Sequence, residues 1–97
     1  MMNIEISITF RSYDQFMDNL ILLRTAQFVL KSFLRKDRNQ SFGIENYAEI
    51  FVKSLTDDEG EQDQIISIFL GLLSLVREQE KQGGDASNLN FTIVPIY

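Results

Sequence analysis

The hydrophobic period of this sequence changes twice, and those two changes set the order of its elements. Residues 3–10 alternate strictly. Ile4, Ile6, Ile8 and Phe10 take one face, and Asn3, Glu5, Ser7 and Thr9 take the other. Successive side chains of a strand point to opposite sides, so this pattern predicts a strand with one buried face. From Ser12 the apolar spacing widens to three and four residues, the helical spacing. Alternation returns over 89–97, with Leu89, Phe91 and Ile93 on one face and Asn90 and Thr92 on the other. Pro95 cannot donate to a ladder, so it predicts an edge or the strand's end. The chain reads β-α-α-α-β, a single α+β domain over residues 1–97.

Each helix carries its own start signal. Ser12-Tyr13-Asp14-Gln15 fits a capping box, in which a hydroxyl and an amide three residues on satisfy free N–H groups. The first helix is expected from 13 to about 36. Phe16, Leu20, Leu23, Leu30 and Leu34 line its core face, with Ala26 and Phe33 beside them. A turn follows at 37–41. The second helix, 44–55, places Ile44, Tyr47, Ala48, Phe51, Val52 and Leu55 on one stripe. Thr56-Asp57-Asp58-Glu59 is a second capping-box sequence. The third helix is expected to start between 57 and 62 and to stop near Gln82, before Gly83-Gly84. Its stripe is Ile65, Phe69, Leu72 and Val76, flanked by Ile66 and Leu73. Residues 85–88 read as loop.

Two strands alone make a marginal sheet. One solution packs the Ile4/Ile6/Ile8 face on the helices of the same chain. The other continues the sheet across the two-fold axis of a homodimer.

The residue inventory excludes most familiar chemistry. With 44% hydrophobic residues the 97-residue chain supports a packed core. Without His or Cys it has no imidazole or thiol nucleophile system, no disulfide frame and no thiolate or imidazole metal ligand. No glycine-rich phosphate loop occurs. The N-terminus lacks signal-peptide character, and the longest apolar-rich run, 65–76, is too short to span a bilayer. The expectation is a soluble cytoplasmic protein, non-enzymatic, with no cofactor and no resident metal.

The net charge of −5 has a location. Asp57, Asp58, Glu59, Glu61 and Asp63 account for it, and the remaining residues carry nine acidic and nine basic groups. A calcium loop with Gly60 at its sixth position would need ligands at Leu55 and Ile66, which have no side-chain oxygen. The acidic run is therefore either a contact surface for a basic partner or the acidic first turn of a helix. Lys31, Arg35, Lys36 and Arg38 read as cations at a helix C-terminus, and direct nucleic-acid binding is not expected.

Three further features stand out. Met17, Ile21 and Phe28 form a second apolar patch roughly opposite the core face of the first helix. Either that helix is central or the patch self-associates. Ser67, Gly71 and Ser74 make a small-residue row on the third helix, and Glu45 and Glu49 pair one turn apart on the second. The helix, glycine turn and strand over 89–94 are similar to the end of barstar-like inhibitors; the middle strand of that fold is absent here. Together these features suggest a small acidic protein-binding protein, of inhibitor or immunity type, acting on a basic partner surface. A structural homodimer is the alternative, and acidic mimicry of nucleic acid is a third.

Overall fold

The computed structural model describes residues 2–36 and 44–96. It contains β1 (Met2–Phe10), α1 (Tyr13–Lys36), α2 (Ile44–Leu55), α3 (Glu59–Lys81) and β2 (Gly84–Pro95). The expected turn at 37–41, Arg38, and the side chains of Lys36, Ile44 and Glu45 lie outside the described residues.

The strands pair within the chain, in parallel, from Ile4↔Leu89 to Phe10↔Pro95. Parallel neighbours need a long crossover, and the three helices are that crossover. The helices cover one sheet face. Ile4, Ile6 and Phe10 are buried against them, and Ile8, Leu89, Phe91 and Ile93 are partly buried beside. Asn3, Glu5, Ser7, Asn90 and Thr92, on the other face, are exposed. The molecule is a slab, 39 × 33 × 14 Å.

The register also fixes which backbone groups face outward. Ile96 N donates to Phe10 O at 2.9 Å, so Phe10 faces β2 and odd-numbered β1 residues face the outer edge. There the Gln79 amide clasps Glu5. Glu5 N donates to Gln79 Oε1 at 3.0 Å, and Gln79 Nε2 donates to Glu5 O at 2.7 Å. A side chain thus occupies a place that another strand would otherwise take. On β2 the same alternation turns Pro95 to its outer edge, where its missing N–H breaks no ladder.

Three expectations need correction. Residues 85–88 are not a plain loop. β2 begins at Gly84, pairs with Met2 and Asn3, then jumps register so that Ile4 faces Leu89. The intervening residues bulge around Asp85, whose Oδ1 accepts from Ser87 N at 3.0 Å and Ser87 Oγ at 2.8 Å. Gly84 has no room for a side chain: a Cβ would lie 2.8 Å from Ile4 Cγ1 and 2.9 Å from Gln79 O.

The second correction concerns the core face of α1. It centres on Ala26, Val29, Leu30 and Phe33, so Val29 joins the core while Phe16 and Leu34 are only partly buried. The third concerns the cap of α3, which is Asp58 rather than Thr56. Asp58 Oδ1 accepts from Glu61 N at 3.0 Å. Thr56 instead links the two residues, accepting from Asp58 N and donating to Glu61 Oε2. The Ser12 box forms: Ser12 Oγ accepts from Gln15 N at 3.1 Å, while Gln15 Oε1 accepts from Arg11 N at 3.2 Å.

Candidate functional site

The face of α1 that turns away from the core carries the site. At 100° per residue, Met17, Ile21, Arg24 and Phe28 fall opposite Ala26, Leu30 and Phe33. Ile21 is 77% exposed, Phe28 53% and Met17 49%. The alternative in which α1 is central is therefore corrected: its inner face is buried and its apolar outer face is open. Hydration of such side chains is unfavourable, so a row of them is a candidate contact surface. Phe28 leans toward α2, its ring 5.6 Å from that of Phe51.

Beside this row runs a groove of about 460 Å³ between α1 and the α2–α3 corner. Ile21, Arg24 and Phe28 form one wall; Leu55, Thr56 and Glu61 form the other. The fold therefore brings the two surfaces singled out in the sequence to one place. Glu61 of the acidic cluster lies across a groove from Ile21 and Phe28 of the apolar patch. Asp57, Asp58, Glu59 and Asp63 are exposed around the same helix start.

The local reason for the acidic cluster is also visible. Asp58 caps α3, Glu59 and Glu61 sit in its first turn, and Gln62 Nε2 donates to Thr56 O at 2.7 Å. Carboxylates there complement the positive end of the helix dipole. Among the described residues no group of three His, Cys, Asp or Glu could hold a metal ion.

A larger concavity, about 740 Å³, lies between the C-terminal half of α1, the end of α3 and the β2 bulge. Lys31, Arg35 and Arg77 line it with Glu80 and Asp85. Arg77 Nη1 pairs with Glu80 Oε1 at 2.8 Å, and the Lys31 ammonium sits 5.7 Å from the Phe91 ring centre. Two of the expected basic residues are thus in a mixed-charge hollow. Its α3 and β2 members carry no sequence signal, since only the crossover brings them beside α1.

The remaining sequence features do not assemble a site. Ser67, Gly71 and Ser74 are exposed, and a Cβ on Gly71 would meet nothing within 4 Å. Glu49 pairs with Lys53 at 2.9 Å on an exposed face, and that bond raises the Lys53 pKa. Sequence reasoning missed Tyr47 as a polar oddity. Its hydroxyl is buried with no hydrogen-bond partner among the described residues, and burial raises its pKa against the opposing pull of Arg35 and Ser32.

Comparison with protein families, with curated proteins and with solved structures returns no match for this chain. Among the described residues no helix is long and apolar enough to cross a membrane.

Proposed function

We propose that this chain works by binding protein rather than by catalysis, through the outward face of α1 and the acidic start of α3. The observation that carries the reading is the row Met17, Ile21 and Phe28, apolar and open to solvent, of which Ile21 and Phe28 share a groove with Glu61. Such a surface suits a partner that presents an apolar ridge flanked by basic side chains. The ridge removes apolar area from water, and the charges steer and orient the encounter. An inhibitor or immunity-type blocker of a basic target is one form of this function. The self-assembling homodimer is the second reading, favoured by the charge order along α1. Whole-surface mimicry of nucleic acid draws less support, because the excess acid is confined to one corner.

The test places a photo-crosslinking residue at Ile21 in one variant and at Ser67, on the outer face of α3, in another. Each is irradiated in host extract. Covalent protein adducts formed from position 21, and lost when Asp57, Asp58, Glu59, Glu61 and Asp63 are neutralised, support the reading. Equal adducts from positions 21 and 67 refute it.

A further inference from the structure

The outward face of α1 has a period more regular than a patch requires. Asp14, Met17, Ile21, Arg24, Phe28 and Lys31 are spaced three, four, three, four and three residues apart. That is the a/d spacing of a two-helix seam, in which knobs of one helix enter holes of the other. All six are exposed. Ala26 and Phe33, buried in the domain, occupy the heptad position opposite the seam. The six positions span about 26 Å along the helix axis.

We propose that this seam is occupied by α1 of a second copy of the chain, running antiparallel. This rests on the protein-binding role of α1 proposed above and names its partner. The charge order decides the direction. A parallel pair would set Asp14 on the partner's Asp14, Arg24 on the partner's Arg24 and Lys31 on the partner's Lys31. Like charges placed opposite one another are repulsive. The antiparallel pair places each a position against a d position. Asp14 then meets the partner's Lys31, whose ammonium swings from its place 5.7 Å from the Phe91 ring centre to reach it, Met17 meets the partner's Phe28, and Ile21 meets the partner's Arg24. Each contact occurs twice about the two-fold axis, as a closed symmetric dimer requires.

The central layer has its own compensation. Arg24 lies in the wall of the groove that Glu61 also lines. The two arginines near the axis are therefore flanked by carboxylates from both α2–α3 corners. A polar residue at one core layer of a helix pair fixes register at a cost in stability. The second copy also matches the partner chemistry inferred for this face, since its α1 is an apolar ridge carrying Arg24 and Lys31.

The chain has no cysteine, so engineered pairs report the register cleanly. Met17→Cys and Phe28→Cys proteins are mixed and mildly oxidised. The proposal expects the mixed 17–28 disulfide to dominate. Domination by 17–17 and 28–28 disulfides overturns the antiparallel register. Sedimentation supplies the second arm. Asp14→Lys is expected to raise the dimer dissociation constant about tenfold, and adding Lys31→Asp in the same chain should restore it to within about twofold. Both side chains are exposed, so circular dichroism of each variant should match the parent. A parent that stays at 11.2 kDa throughout the micromolar range overturns the second copy as occupant. If the crosslinker at position 21 then still captures a different protein, the protein-binding role stands and this inference alone falls.

Discussion

α1 and α3 are nearly equal in length, 24 and 23 residues, and each lays one apolar face on the sheet and on the other helix. Their outer faces differ. α3 shows Ser67, Gly71, Ser74 and Glu78 to solvent, with Leu75 as an isolated apolar residue. α1 shows Met17, Ile21 and Phe28 in register. A scattered exposed leucine is ordinary on a protein surface and needs no partner. A periodic row of large apolar side chains is different, because one partner can cover all of it at once. Burial therefore accounts for the inner faces of both helices, whereas the proposed protein partner rests on the outer face of α1.

Phe69→Ala removes a fully buried ring from α3, one that packs edge-on against Phe33 of α1 at 5.7 Å. The expected loss is about 3–5 kcal/mol of folding stability, read by urea denaturation. Ile21→Ser acts on the other side of α1. Folding stability should move by less than about 0.5 kcal/mol, while the association constant at this face falls more than about tenfold by sedimentation. A large loss of folding stability with unchanged association would show that the row serves the monomer.

Gly71→Ala sharpens the contrast from α3. The position is mid-helix and exposed, and the added Cβ meets nothing within 4 Å. The expected effect is a gain of about 1 kcal/mol from helix propensity, with a melting temperature some 4–8 °C higher. Destabilisation or lost association would mean that the small-residue row packs against another helix after all.

The smallest effect belongs to Tyr47, between the rings of Phe33 and Phe51. Tyr47→Phe removes a buried hydroxyl with no hydrogen-bond partner among the described residues and should stabilise by up to about 1 kcal/mol. Burial raises the pKa of this phenol above 10.0 in the fold. The unfolded chain therefore loses the proton first. The parent keeps this contribution below pH 10.0 and loses it as pH rises from there through the higher folded value. Melting curves at rising alkaline pH should show the phenylalanine variant losing less than the parent.

Much of this architecture is legible in the sequence. The bounds of α1 and α2 follow from the Ser12 box and from an uninterrupted helical period, and both match the structure. The core face of α1 is less legible. Apolar residues cover most of its circumference, so periodicity alone does not rank the Val29 side above the Phe16–Leu34 side. Packing against α2, α3 and β2 on different flanks makes that choice. The β2 bulge is illegible for another reason. Asp85, Ser87 and Asn88 are turn formers, and Met2 and Asn3, which pair with Gly84 and Asp85, come from the opposite end of the chain. The Asp58 cap was hidden by three candidate caps in a row, Thr56, Asp57 and Asp58. For the site, sequence supplied both the apolar row and the acidic cluster. Their meeting in one groove depends on where the α2–α3 corner docks against α1.

On the proposed reading the outer face of α1 has a protein partner and that of α3 has none. Met17, Phe28 and Leu75 are 49%, 53% and 51% exposed, so an isolated chain offers all three to solvent almost equally. Hydroxyl-radical footprinting at increasing protein concentration compares them directly, with each rate scaled to the free amino acid. Met17 and Phe28 are expected to become protected as concentration rises while Leu75 keeps its rate. Equal and unchanging oxidation of all three throughout the micromolar range, in buffer and in host extract, would contradict it.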